Sequence, residues 1–230
     1  MKSTWISAAI VNAVSIFALI LYTAVAIPSF SMWFYRWQYR ANDTYATVQM
    51  EPEHLHEVTR HMIRYMRGQE DSLQIRTIVN GQERYFFSEL EIRHMEDVVA
   101  LYRGARITAW ICFILLIATT AAFIIWGRKR LCLLFKSWKW FAIGVTGGLL
   151  ILTILVSINW HFAFDVFHWI FFNNDYWILD RRVDLMLSIM PYEFFIRISI
   201  FIASFVTLGL IAMFAAGHFT SKQARPTAEI

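Results

Sequence analysis

The sequence predicts a polytopic α-helical membrane protein, with four transmembrane helices and a small extracytoplasmic α+β cap. Two observations predict it. Hydrophobic residues make up 58 % of the 230 residues against 17 % charged, and mean hydropathy is +0.47. The excess lies in four uninterrupted apolar stretches, each close to the ~20 residues a helix needs to cross ~30 Å of hydrocarbon. A soluble domain has no use for four such stretches.

The first stretch occupies residues 1–28 and ends at Pro28. With Lys2 as its only flanking charge, a long apolar core and no small-x-small cleavage site, it reads as a retained helix and not as a signal peptide. Residues 29–106 form the cap. Trp33, Phe34, Tyr35 and Trp37 open it with aromatic side chains suited to the headgroup layer. From Pro52 to Arg67, Leu55, Val58, Met62 and Met66 recur at helical spacing, and Gly68 ends the pattern. Two strand-like runs, Leu73–Val79 and Gln82–Phe87, flank Asn80-Gly81, a pair that accepts the positive φ of a type I′ hairpin turn. Ser88 and Glu91 form a capping box opening a helix over about 89–102. A cap this small is marginal alone and is expected to pack on the membrane.

Residues 107–126 are the second transmembrane helix, 127–139 a basic cytoplasmic loop and 140–158 the third helix. Residues 159–193 form an aromatic extracytoplasmic loop, 194–217 the fourth helix and 218–230 a cytoplasmic tail. Arg197, near the edge of the fourth helix, is expected to snorkel to the interface. Orientation follows from the lysines: Lys2, Lys129, Lys136, Lys139 and Lys222, with Arg128, Arg130 and Arg225, all fall at the termini or in the loop between helices two and three. The positive-inside rule makes those segments cytoplasmic, hence N-in and C-in. The net charge of +4 is absorbed by anionic lipid and requires no nucleic acid partner. Cys112 and Cys132 lie outside the two outward segments, so neither a disulfide nor a thiol nucleophile is available there.

The candidate chemistry therefore lies in the outward segments. The run from Asn159 to Asp180 is too aromatic for an ordinary loop, yet carries His161, Asp165 and His168. If helical, those three share a face. Ionisable groups at the membrane are costly to bury and are functional candidates by default. His54, His56 and His61 sit on the surface helix and read as solvated; Ser88 is accounted for by its capping box.

At these residues the sequence resembles a family of four-helix bacterial membrane proteins that includes the lipoprotein intramolecular transacylase. The main match is Phe164-Asp165, Phe167-His168, Phe171-Phe172, Asn174, Trp177, Leu179 and Asp180, continuing to Asp184-Leu185, Pro191 and Glu193-Phe194-Phe195. A second match covers Ser88, Glu91, His94-Met95 and Asp97-Val98. The chain departs from the pattern at Arg181, where the family has proline. The resemblance implies transfer of the sn-2 acyl chain of a diacylglyceryl lipoprotein to the α-amine of its own N-terminal cysteine. The product is a lyso-form lipoprotein; the partners implied are the diacylated lipoprotein and membrane lipid, in the bacterial cell membrane, with the active site extracytoplasmic.

The residue types suit that chemistry. Ester aminolysis needs a base for the amine proton, donors for an oxyanion and an acid for the leaving alkoxide. Histidine serves as base and then acid, so His168 and His94 are the catalytic candidates. Asp97 or Asp165 can orient an imidazole. Asn173, Asn174, the Trp177 indole N–H and Arg181 are candidate oxyanion donors, and Asp180 a supporting carboxylate that can pair with Arg181 or Arg182. Nucleophile and ester share one substrate, so positioning alone can supply ~7–11 kcal/mol; no cofactor or metal is required. Two other readings stay open. One is a metal-dependent membrane lipid or lipoprotein hydrolase using His161, Asp165 and His168. The other is a non-enzymatic membrane assembly protein.

Overall fold

The computed structural model describes residues 2–126 and 128–223. Arg225 and the side chains of Lys2, Arg128, Lys129 and Lys222 lie outside the described residues. In chain order the elements are α1 (Lys2–Ser29), α2 (Met32–Ala41), α3 (Thr44–Val48), α4 (Pro52–Arg67), β1 (Arg76–Val79), β2 (Gln82–Tyr85), α5 (Glu89–Ile125), α6 (Arg128–Ile158), α7 (Trp160–Phe171), α8 (Met186–Ile189) and α9 (Tyr192–Gln223). Four helices, Ser3–Ser29, Glu89–Ile125, Arg130–Ile158 and Tyr192–Thr220, are long and apolar enough to cross a membrane. Only 6 to 22 % of their apolar windows is buried within the chain, so the remaining apolar surface needs lipid around it. The molecule is a mostly helical, multi-pass membrane protein with one small two-stranded sheet.

By internal contacts the chain divides into two units. The first comprises Met1–Ala24, Arg106–Ala163 and Ile202–Ile230. Its core joins Ala13, Ala24, Ala142, Val206, Leu210 and Met213, with a smaller cluster of Ala9, Phe123 and Leu134. Small residues let helices approach closely where lipid offers no hydrophobic drive for association. A Cβ on Gly209 would meet the Ile20 side chain at 2.8 Å, and one on Gly217 would meet the Phe135 carbonyl and the Lys139 backbone. A polar knot adds direction: the fully buried Asn12 donates to Thr119 and Thr120 at 2.8 and 2.9 Å and accepts from the Trp138 indole at 2.9 Å.

The second unit, Val25–Ala105 and Phe164–Phe201, carries the cap elements. Its core gathers Phe34, Tyr39, Leu55, Val58, Met62, Leu73, Phe86, Met95, Ile189 and Phe194. The apolar stripe of α4 faces that core, and Gly68, at φ +75°, ends the helix in the left-handed region that favours glycine. The hairpin pairs Val79 with Gln82 across Asn80 (φ 51°) and Gly81 (φ 72°), both positive as a type I′ turn requires.

Four features differ from the sequence reading. The helix opened by Ser88 does not stop near residue 102 but runs unbroken to Ile125, because no proline intervenes and Gly104 does not adopt the positive φ of a capping glycine. Residues 128–139, expected as a loop, are the first turns of α6, a stretch rich in straight-chain and aromatic residues with no breaker. The aromatic run at 33–37 is a helix, α2, that buries Phe34, Tyr35, Gln38 and Tyr39 and leaves Trp33 and Trp37 exposed. Arg197 does not reach freely outward: its guanidinium donates to the Gln38 side-chain oxygen at 3.0 Å and to that of Asn42.

Candidate active site

The second unit brings both candidate histidines together. His94 lies in the second turn of α5, in the charged stretch before the apolar part begins at Ile107. His168 lies near the end of α7, 6 % exposed. Their ring centroids are 6.0 Å apart. The rest of the surround is aromatic. Phe164 (4.3 Å between centroids), Phe167 (5.4 Å) and Phe172 (5.6 Å) pack on His168, and Phe172 also meets His94 edge-on at 5.3 Å. The Trp177 indole stacks on His168 at 4.6 Å with planes 23° apart.

One hydrogen bond fixes the state of His168. Its Nδ1 lies 2.7 Å from the Phe164 carbonyl oxygen, an acceptor only. The nitrogen there must carry hydrogen, since two lone pairs at that distance repel. In the neutral ring Nε2 is then left with a lone pair, which is what a general base needs. Burial pushes the His168 pKa below its ordinary value, opposed by the Phe164 bond and the nearby Asp165 charge. Burial, reinforced by His168 beside it and partly offset by Asp97, pushes His94 down to about 4. Both rings are neutral at neutral pH. Nδ1 of His94 and Nε1 of Trp177 are buried with no hydrogen-bond partner. Such groups cost about 1–3 kcal/mol each if left unsatisfied, and unsatisfied polar atoms at a buried site are a recurring sign of catalytic use.

The remaining candidates separate. Asp97 accepts from the Asn174 amide at 2.9 Å, so it holds the loop after α7 and leaves the imidazole-orienting role at His168 to the Phe164 carbonyl. The same bond commits a donor of Asn174. Asn173 and Arg181 are exposed. Asp180 pairs with Arg182 (2.6 Å) and not with Arg181, and that bond draws its pKa down to about 2. Asp165 is half-buried near His168. Of the four proposed oxyanion donors, half-buried Trp177 alone has its N–H buried and unpartnered and its ring stacked on a site histidine. Among the described residues no three His, Cys, Asp or Glu side chains are grouped so as to hold a metal ion, which leaves the metal-hydrolase reading without a ligand set.

Sequence reasoning missed a carboxylate pair. Glu91 (0 % exposed) and Asp184 (4 %) lie buried beside the capping box. Glu91 accepts from the backbone N–H of Ser88 (2.6 Å) and of Met186 (2.5 Å); Asp184 accepts from the Ser88 hydroxyl and the Asp180 N–H, both at 2.7 Å. The capping box accounted for Glu91 so fully that its second bond, 95 residues along the chain, had no signature.

The comparisons with known proteins bear on the family and the fold. The sequence model of the family described as lipoprotein intramolecular transacylase Lit matches residues 10–195. No curated protein matches the chain. Among solved structures, the membrane-integral lipoprotein intramolecular transacylase Lit from Bacillus cereus is similar at a TM-score of 0.77 and 19 % identity, covering 98 % of this chain and 99 % of that one. Two structures of the Bacillus cereus protein with a histidine replaced, by arginine or by alanine, are similar at TM-scores of 0.75 and 0.76 and 18 % identity. They cover 97 % of this chain and 95 and 96 % of theirs. At such identity the structures speak for the fold, whereas the family match spans most of the chain. The chain belongs to the lipoprotein intramolecular transacylase family.

Proposed function

We propose that this transacylase moves the sn-2 acyl chain of a diacylated lipoprotein to the α-amine of its own N-terminal cysteine, with His168 as the base. The observation that carries the assignment is the His168 tautomer, which leaves a lone pair on Nε2 inside an aromatic cage beside His94. The amine nitrogen attacks the ester carbonyl carbon, and its proton passes to Nε2 of His168. The Trp177 indole N–H donates to the oxyanion. The bond from carbonyl carbon to sn-2 oxygen then breaks, and the imidazolium returns the proton to that oxygen, giving an amide and a free hydroxyl. His94, neutral with its pKa near 4, serves as a hydrogen-bond donor to the leaving oxygen, as a neutral imidazole can in a buried site. Asp97 and Asn174 steady the loop, with Asp165 and Asp180 in supporting roles. Asn173 and Arg181 are too exposed to support a part in the chemistry.

The distribution of lysines supports an N-in, C-in topology with residues 29–106 and 159–193 extracytoplasmic. That is the side on which a lipoprotein's lipidated terminus meets the outer leaflet, with membrane lipid as the second partner. The test is mass spectrometry of the N-terminal peptide of a diacylated lipoprotein expressed with this protein and with its His168→Ala and His94→Ala variants. An acyl chain moved from glycerol to the amine at unchanged total mass, and lost in both variants, is expected. Loss of an acyl mass identifies a hydrolase instead; activity retained in folded His168→Ala refutes the base assignment.

A further inference from the structure

The carboxylate pair beside the site is not explained by helix capping. Glu91 and Asp184 are both buried, and no ion pair to either occurs among the described residues. Two neighbouring buried carboxyl groups held only by N–H and O–H donors are costly, and apolar packing stabilises a contact more cheaply. What apolar packing does not fix is register. Here the bonds fix it at both ends of one helix face. Glu91, His94 and Asp97 recur every three residues on α5 and so lie along one side. Glu91 holds Met186, Asp184 is tied to Ser88 and to Asp180, and Asp97 holds Asn174. The segment between Asn174 and Asp184 contains Trp177, stacked on His168, and the helix segment between Glu91 and Asp97 contains His94.

We propose that Glu91 and Asp184 are positioning residues for acyl transfer: they clamp the Trp177-bearing loop to the turn of α5 that carries His94, keeping the indole stacked on His168 and both imidazoles shielded from water. The clamp touches neither substrate nor reacting atoms. Its failure misplaces groups that must align, and a displacement of ~1 Å can cost ~10²-fold in rate. Burial raises the Glu91 pKa, opposed by its backbone donors and reinforced by Asp184, consistent with a clamp that excludes water.

The proposal rests on His168 acting as base, and the experiment separates the two. A diacylglyceryl-cysteine lipopeptide is turned over by the purified full chain in lipid, with wild type, Glu91→Gln, Asp184→Asn and His168→Ala compared. In Glu91→Gln an amide NH₂ must face a backbone N–H, so one of the two bonds is lost. The expected result is kcat lowered ~10–100-fold with KM within about threefold. On the acid limb of the pH–rate profile, the histidine break, which lies below that of the substrate amine (pKa ~8), also moves up toward the ordinary value of ~6.5 as water reaches the rings. His94 and His168 face each other, with Asp97 and Asp165 the nearby carboxylates, and neither variant touches these four. Unchanged kcat, or a loss with the acid limb unmoved, overturns the proposal and leaves a merely structural tie. If Glu91→Gln does not fold, Ser88→Ala removes the hydroxyl bond to Asp184 together with the longer cap bond from the Glu91 N–H (3.2 Å), with the same two results decisive. Activity retained in His168→Ala refutes the base reading whatever the carboxylate variants do.

Discussion

Replacing Trp177 by phenylalanine isolates one atom of the proposed mechanism. The stack on His168, 4.6 Å and 23° from parallel, survives in a phenyl ring, whereas the buried and unpartnered Nε1–H is deleted. In the resting protein that N–H is a liability of about 1–3 kcal/mol, so its removal offsets the apolar area lost with the larger ring. Thermal stability is therefore expected to stay within a few degrees of wild type. In the transition state the same N–H meets a full oxyanion in a water-poor site, where loss of one such donor costs about 2.7–4 kcal/mol, roughly 10²–10³ in kcat. KM should hardly move, because the ground-state carbonyl makes a weaker demand on the donor. Single-turnover conversion of a diacylated lipopeptide, followed by mass spectrometry, reads the loss directly. A folded Trp177→Phe protein that keeps more than about a third of wild-type kcat refutes the donor assignment and leaves Trp177 a packing residue.

Three further outcomes are expected. Burial holds the His168 pKa below its ordinary ~6.5, so between about pH 6.5 and 7.5 log kcat/KM should rise with unit slope, set by the substrate amine of pKa ~8. A slope approaching two in that window refutes it. By the same sign, the stability His94 contributes is fully present above ~6.5 and is lost as pH falls through about 4, which a pH series of melting temperatures checks. In the membrane unit, Asn12→Leu strands the Trp138 indole N–H, while Thr119 keeps its bond to the Leu115 carbonyl. A loss of about 1–3 kcal/mol without loss of activity is expected. The Asn12→Leu/Trp138→Phe pair should recover much of it, and a double variant no better than the single refutes the account.

What could be read in the sequence was what depends on neighbours along the chain. The four apolar stretches, the α4 stripe ended by Gly68, the Asn80-Gly81 turn and the Ser88–Glu91 box are each written within a few residues, and each is found in the structure. The histidines were singled out by composition and by resemblance, and the structure brings them together. The partner of each supporting residue was not legible. Asp97 and Asn174 are 77 residues apart, Ser88 and Asp184 are 96 apart, and Gln38 and Arg197 are 159 apart. Nor did the residue types reveal that His168 would be oriented by a carbonyl, since every residue offers one and a carboxylate announces itself.

The aromatic cage has a chemical purpose that the acidity it imposes on the histidines helps to explain. Acyl transfer to an amine must outrun transfer to water, and a base exposed to solvent activates water as readily as it activates the amine. On the proposed mechanism, Phe164, Phe167, Phe172 and Trp177 around a ring only 6 % exposed keep water from Nε2 until a lipid-borne ester and amine arrive. The cost is a weaker base, because the burial that excludes water also lowers the imidazole pKa. An intermolecular transferase would lose rate by that exchange. Here amine and ester belong to one molecule, and orientation worth up to ~7–11 kcal/mol makes a weak, dry base sufficient. Opening the cage, as with Phe172→Ser, should therefore shift products from amide toward free fatty acid. A Phe172→Ser enzyme that slows without releasing fatty acid would show that the aromatic wall serves packing and not selectivity.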